Sequence, residues 1–499
     1  VESRAGEFTF GLNSTFGVSD FTNTSEANTG IATPLNAIRW SNPYETPYDA
    51  EGNYTELTSG QPNALQELLE NTNLRKQLKG VGNFYVTYEA PFIKGLTLRT
   101  NWGADFTSNE LAIYVNPTTY SGQFSTGGSG SYGRGYNRNF RYTGTTSATY
   151  NTKFGEEHTL TVGLFNEIVN QKYKTFSFTG YGLGGAFQNE AGITPGNATN
   201  GFIPAVGGFG TENALLSYFT NINYGFRDKY FLTIGARRDG SSRFGADRKY
   251  ANFGSVGFSW IVIDEPFMEG LTDIFSDMKF KVSYGSAGNQ ALTEDFRSRE
   301  LFSRSVYNGI SGLAQTQLSN PELQWERKTT FNTGLEFTAF SGRLRSTVEF
   351  YNSITNDLFL NRQLSRTTGY ESLLSNVGEL QNRGVELSLD GDIIQAGGFT
   401  WSANVSVTRN QNKVLSLVGD QQEIVNGIYI NRVGEPMNSL YLVRYAGVNP
   451  DNGNAQYLNK DGEITEVYDP NDRVIVGTAE TPWFGGFGTT LKYKGFEVN

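Results

Sequence analysis

The sequence predicts an all-β chain: a large up-and-down antiparallel transmembrane β-barrel with about fourteen strands, short periplasmic turns and long extracellular loops. Three observations carry that expectation. Apolar and polar residues alternate with a period of two for about ten residues at a time, the length that crosses a bilayer on a tilt. The links between these stretches alternate in strict order between short and long, as in an outer-membrane barrel. Composition agrees, since 59 glycines, 14% aromatics and only 18% charged residues in 499 suit strands, tight turns and interfacial rings better than helices.

The strands come first. Between Leu96 and Phe106, Leu96, Leu98, Thr100, Trp102, Ala104 and Phe106 share one face, while Thr97, Arg99, Asn101 and Asp105 share the other. One face suits lipid and the other water. The same alternation runs through Leu160, Val162, Leu164 and Ile168, through Phe331, Leu335, Phe337 and Ala339, and through Phe399, Trp401, Ala403, Val405 and Val407. Trp102, Phe106, Trp260, Phe337, Phe399 and Trp401 are expected on the lipid face as parts of an aromatic girdle. Short links fall near Ala90–Gly95, Thr152–Glu157, Phe226–Lys229, Phe340–Arg343, Asp392–Gly398 and Lys494–Gly495, with Val262–Asp277 of medium length. Long links fill Ser14–Gly80, Ser108–Asn137, Lys172–Glu212, Ala287–Trp325, Ser353–Glu379 and Asn410–Trp483, and Gly240–Lys249 is shorter.

Two loop segments stand apart. Asn63–Leu78 contains a short helical stretch with Leu65, Leu68 and Leu69 on one side, which reads as a small helix within the first outer loop. Ser125–Arg134 (STGGSGSYGR) is expected to be a mobile loop tip, because so much Gly and Ser buries too little to offset its ordering cost.

Several function classes are excluded early. There is no apolar run of about eighteen residues, so no helical span is expected. The absence of cysteine removes thiolate catalysis, cysteine metal sites and disulfides, and the one histidine, His158, cannot form a His cluster. A formal charge of −10 argues against nucleic acid as a partner. No nucleophile elbow, zinc-protease motif or P-loop is present, so no catalytic residue and no cofactor is assigned and the chain is not expected to be an enzyme. Val1-Glu2-Ser3-Arg4 shows no leader pattern, and any export signal is expected upstream or removed.

Candidate site residues are therefore of two kinds. Arg99, Asp105, Arg237, Asp239, Glu336, Arg345, Glu349, Glu386 and Asp390 alternate onto the water face, where they are expected to form lumen ladders that pair with one another or face a plug. Tyr120, Tyr132, Tyr136 and Tyr181 lie in Gly-rich loop sequence and are the candidate ligand contacts, because a ring face and one hydroxyl can stack on and hydrogen-bond a sugar or peptide. Arg238, on the opposite parity from Arg237, reads as an interfacial anchor.

A set of motifs then resembles the SusC-like (SusC/RagA) TonB-dependent outer-membrane transporters, and they occur in that family's order. They are Asp239 to Gly245 (DGSSRFG), Met278 to Gln290 (MKFKVSYGSAGNQ), Asn320 to Glu326 (NPELQWE), Tyr351 to Leu358 (YNSITNDL) and Asn376-Val377-Gly378 with Asn382 to Leu387. Further on come Asn410 to Leu417 (NQNKVLSL), Val433-Gly434-Glu435-Pro436, and Asn471 to Gly477 followed by Pro482. Where the family often has an Asp/Gly-rich calcium loop, this chain has Asn459-Lys460-Asp461-Gly462-Glu463-Ile464 and Asp469-Pro470-Asn471-Asp472, and a solvated turn is expected rather than a Ca²⁺ site.

The resemblance implies an integral outer-membrane protein of a Gram-negative bacterium. It implies that residues 1–499 are part of one barrel of about 22 strands. The family's N-terminal carboxypeptidase-like domain, plug, TonB-contacting region and final strands are expected outside them. It also implies uptake of large nutrients, oligosaccharides or peptides, together with a SusD-like surface lipoprotein, TonB and the lipid bilayer. Two alternatives stay open: a SusC-like barrel serving as a scaffold in an outer-membrane assembly or secretion complex, and, less in keeping with these motifs, a passive porin.

Overall fold

A computed structural model describes residues 1–23, 36, 39, 42–55, 62–184, 187–419 and 421–499. Part of the long link expected at Ser14–Gly80 lies outside the described residues. Sixteen strands form one antiparallel sheet in which each strand's neighbours are the sheet strands before and after it in the chain. Removing the two short terminal strands, Glu2–Ala5 and Phe496–Val498, leaves the fourteen that the alternation predicts. The fourteen are Phe8–Thr22, Thr72–Glu89, Leu96–Val115, Ser131–Phe154, His158–Tyr181, Ala205–Phe226, Tyr230–Ser241, Tyr250–Ile261, Phe275–Asn289, Glu326–Ala339, Leu344–Asn356, Glu379–Ala396, Phe399–Ser416 and Trp483–Tyr493. No described helix is long and apolar enough to cross a membrane.

The register shows why alternation is decisive. Leu335 lies opposite Val348 and Val348 opposite Leu387, while one position along, Glu336 meets Thr347 and Gly334 meets Glu349. A slip of one residue would put every one of these charges on the apolar face. Two of the short connections are two-residue turns with both residues left-handed, Gly397-Gly398 and Lys494-Gly495, and the three-residue link Arg227–Lys229 opens on two left-handed residues without glycine, Arg227 and Asp228 at φ 56° and 51°. Such turns match the twist of the flanking strands.

Strands outrun the expected links. Ser131–Phe154 and His158–Tyr181 each hold 24 residues, and the strands reach well into Ser108–Asn137 and Lys172–Glu212. Backbone pairing continues after the apolar face has become polar, and the period-two signal cannot register that continuation. Ser131–Arg134, expected to be part of a mobile tip, is strand, and the tip shrinks to a single helical turn at Thr126–Gly128. The long links carry structure of their own. Hairpins form at Leu301–Tyr307 with Ile310–Gln317 and at Phe359–Gln363 with Ser372–Asn376, and the Asn410–Trp483 link builds one four-stranded and one three-stranded sheet.

The short helical stretch expected within Asn63–Leu78 is Ala64–Glu70, capped by Asn63 Oδ1 accepting from Gln66 N. From Thr72 the chain pairs with Phe8–Thr22, and tertiary pairing overrides helical propensity. Leu69 is exposed, and the buried residue is Glu67, which accepts from Ser121 N at 2.8 Å and Asn71 Nδ2 at 2.7 Å.

The chain divides into two compact units. The first comprises Val1–Tyr88, Arg99–Thr146 and Glu167–Ala214, and its small core is Tyr114, Tyr132 and Leu183. The second comprises Glu89–Leu98, Ser147–Asn166 and Leu215–Asn499, and its core is Phe244, Phe253, Leu292, Leu323 and Trp325.

Candidate functional site

The polar face of the sheet is built from rows of hydrogen-bonded side chains. In the first unit Gln77 bonds Asn109, Asn109 bonds Asn137, Gln171 bonds Asn139 and Asn83 bonds Asn101, all within 2.8–3.0 Å. On the same face the Arg99 guanidinium lies 4.1 Å from the Tyr85 ring centre and Lys79 lies 3.6 Å from Asp105. In the second unit Lys281 is clasped by Glu336 and lies 3.2 Å from Glu349, and Arg345 meets Asp390 at 3.0 Å. Glu386 stands directly opposite Glu349 in the register. Like charges in that position repel, and Lys281 offsets the repulsion. Pairs this accessible contribute little to stability, so the ladder's consequence is a charged, hydrated wall.

Arg237 and Asp239 occupy a different setting. Arg237 Nε donates to Asp239 Oδ1 at 2.7 Å, Nη2 donates to Ser217 Oγ at 2.9 Å, and the guanidinium lies 4.6 Å over the Phe219 ring, which is stacked on Phe165. Both line a cavity of about 450 Å³ with Phe219, Phe253, Gln290 and Trp325. Aromatic faces beside a half-buried ion pair can hold a polar ring or a peptide segment by stacking and hydrogen bonding.

Above that cavity the family-like motifs converge. Gly245 N donates to Leu323 O, Trp325 Nε1 to Lys249 O at 2.9 Å, and Arg243 pairs with Asp295 at 2.8 Å. Asn376 Nδ2 donates to Gln324 O and Asp357 O, Asn320 Nδ2 to Leu374 O, and Glu326 accepts from Phe359 N and Asn289 Nδ2. Phe244 and Leu323 are almost fully enclosed, with Phe244 5.0 Å from Trp325. Segments scattered from Asp239 to Gly378 thus form one hub at the loop bases. The common role of these motifs is not visible in the sequence, where their Asn and Gly content and the lone Trp325 are the available signal.

The four tyrosines do not share a setting. Tyr120 opens a short helix and packs against Phe124, the rings tilted by 48° with centres 4.5 Å apart. Tyr132 is 8% exposed and belongs to a core with Tyr114 and Leu183, which corrects its assignment to an open loop; the strand begins one residue earlier, at Ser131. Tyr136 also lies in that strand, and Tyr181 ends the next one, half-buried. Arg238 lies 5.2 Å over the Tyr250 ring, as an anchor would.

The loop segments weighed for Ca²⁺ are internally bonded. Asn459 and Glu463 bond one another, and Lys460 N donates to Asp472. Nearby, Asn454, Asn449 and Asn452 donate to Glu466 and hold its carboxyl below the usual carboxylate range. On the short-turn side Glu265 accepts from Tyr230 Oη at 2.5 Å and Trp260 Nε1 at 2.9 Å, with Lys229 3.6 Å away, and its carboxyl is likewise depressed, chiefly by the tyrosine. His158 bonds the Tyr224 hydroxyl and stacks on Phe154.

A sequential antiparallel sheet with one apolar face, one charged face, short turns at one end and structured loops at the other defines the wall of an outer-membrane β-barrel. The chain belongs to the family described as TonB dependent receptor-like, beta-barrel, whose model matches residues 10–498. It is 29% identical over 492 residues to the TonB-dependent receptor P3 of Formosa agariphila, covering 91% of this chain and 47% of that protein. It is 25% identical over 471 residues to the TonB-dependent receptor SusC of Bacteroides thetaiotaomicron, covering 89% and 45%. Its fold matches the structure of the RagAB peptide importer in the "closed-closed" state with a TM-score of 0.84 at 25% identity, covering 99% of this chain and 56% of that one. The chain spans about half the length of the curated relatives it matches. It is a SusC-like β-barrel chain, integral to the outer membrane, in a family of receptors and transporters rather than enzymes.

Proposed function

We propose that the protein to which this barrel belongs imports large nutrients, oligosaccharides or peptides, across the outer membrane, driven by TonB and served by a SusD-like surface lipoprotein. The observation that carries the reading is the match to the TonB-dependent receptor barrel along residues 10–498, with SusC and the RagAB peptide importer among its relatives. The charged inner wall supports it, because a wall of solvated ladders holds a polar plug and lets a polar cargo pass without trapping it. In this proposal the plug and the TonB-contacting segment belong to the remainder of the protein, and the plug lies against Arg99, Glu336, Arg345 and Glu386. The aromatic cavity beneath the hub and Tyr120, Tyr136 and Tyr181 contact the cargo.

The test is to purify the native protein from outer membranes and identify co-purifying proteins and bound small molecules by mass spectrometry. Import predicts one lipoprotein in stoichiometric amount and a bound oligosaccharide or peptide. Several assembly or secretion proteins with no bound oligomer would instead establish a scaffold.

A further inference from the structure

We propose that the outward face of the Glu379–Ala396 and Phe399–Ser416 strands carries a binding site for a phosphate-bearing lipid headgroup, formed by Arg383, Arg409 and Lys413 around Gln411. The register sets Arg383 opposite Gln411, Val385 opposite Arg409 and Gln381 opposite Lys413. Arg409 and Lys413 therefore flank Gln411 on its own face, two residues to either side. Neighbours of this kind stand roughly 5 Å apart across the pair and about 7 Å apart on the diagonal, and Arg409 and Lys413, four residues apart on one strand, stand about 13 Å apart, so the three long side chains ring a patch that the phosphate of a larger headgroup can enter.

Their height on the wall follows from the same strands. Toward the Gly397-Gly398 turn the face continues as Val407, Val405, Ala403 and Trp401 on one strand and as Val385, Leu387 and Leu389 on the other. The cations stand where this apolar band ends, which is where acyl chains give way to headgroups. Trp483, opposite Arg409 in the register and with its ring 5.2 Å from that guanidinium, is placed as interfacial tryptophans are.

The patch also differs from other cations of the same parity. Arg134 lies within 3.6 Å of Glu110 and 3.8 Å of Glu190, and Lys172 within 3.1 Å of Glu212. Among the described residues no such ion pair joins Arg383, Arg409 or Lys413, all of which are exposed; Arg383 Nε donates to Gln411 Oε1 at 2.9 Å. Three cations held together with no carboxylate in ion-pair contact repel one another, and a phosphate among them removes that repulsion. The adjoining cavity of about 380 Å³ is lined by Arg409, Gln411, Lys413 and Trp483, and also by Glu435 and Glu480. That mixture suits a headgroup with hydroxyl or ammonium groups beside its phosphate. The continuous apolar band below the patch selects a lipid over free phosphate.

The test uses the full-length protein in an uncharged maltoside detergent, titrated with bis-phosphorylated lipid A and followed by native mass spectrometry. Removing three surface cations is expected to lower the affinity about a hundredfold in R383Q/R409Q/K413Q, while K172Q binds as the wild type does. Heat-modifiable migration reports that each variant is folded, and R383Q alone, expected to lose about fivefold, serves if the triple variant is not. Dephosphorylated lipid A should bind as weakly to the wild type as the phosphorylated form binds to the triple variant. Unchanged affinity in folded variants, equal binding of dephosphorylated lipid A, or displacement of the lipid by millimolar inorganic phosphate would each overturn the assignment.

Discussion

Replacing Gly245 by alanine should dismantle the loop hub. A Cβ built on Gly245 would sit 1.6 Å from the backbone oxygen of Pro321, where real contacts do not fall below 3.0 Å. The two loops must separate by 3.0 − 1.6 = 1.4 Å along that line, and no side chain can rotate away because the obstacle is backbone. The movement breaks the 3.0 Å bond from Gly245 N to Leu323 O and unseats Leu323 and Phe244. Overpacking costs about 1–3 kcal/mol and the buried hydrogen bond about 1 kcal/mol more, so the expected loss is about 3 kcal/mol. The control is Gly257→Ala, whose Cβ would meet nothing nearer than 3.8 Å and should change stability by less than about 1 kcal/mol. Urea unfolding of the full-length protein in lipid bilayers gives both values, and limited proteolysis between residues 290 and 325 reports the hub locally. Equal stability and equal proteolysis of the two variants would refute the hub as a packed unit.

Other consequences follow from the register, the turns and the short-turn rim. Ala403→Arg, on the apolar face between Gly391 and Thr489, should cost about 2–4 kcal/mol in a bilayer folding assay, against almost nothing for Ser406→Asn on the polar face; equal tolerance would mean that the faces are exchanged. Asp228→Gly should stabilise the barrel by about 1 kcal/mol, since Asp228 holds φ 51° in a turn that glycine adopts without penalty, and a destabilised variant in the same assay would contradict that turn. Glu265 has its folded pKa below the ordinary value of 4.5, so its contribution is fully present above 4.5 and disappears as pH falls through the folded pKa. Glu265→Gln should therefore flatten the acid limb of the stability–pH curve below pH 4.5, and an unchanged limb would show that the Tyr230, Trp260 and Lys229 contacts do not form.

Alternation was legible because a one-residue slip is so costly: Leu335, Phe337, Trp401 and Val405 fall on one face and Glu336, Glu349 and Glu386 on the other without exception. Strand ends were not legible, since above the bilayer both faces are polar and pairing continues with no change of pattern, as at Ser131–Arg134. The short helix at Ala64–Glu70 was legible from Leu65, Leu68 and Leu69, whereas nothing local shows that Leu74 will pair with Thr22, some fifty residues away. Parity puts Glu336, Glu349 and Glu386 on one face of the sheet, yet which charges pair depends on neighbours such as Lys281, whose position on that face only the register reveals. The hub was invisible for the same reason. Trp325 and Lys249, or Asn376 and Gln324, meet only after the intervening strands have folded.

The most direct measurement is uptake by cells carrying the full-length protein, with the oligosaccharide or peptide that co-purifies with it supplied as the labelled substrate. Import by a TonB-driven barrel predicts accumulation that stops when the TonB-contacting segment is deleted, while the protein remains folded in the outer membrane and still binds the substrate at the surface. Accumulation at the same rate without that segment would contradict the account.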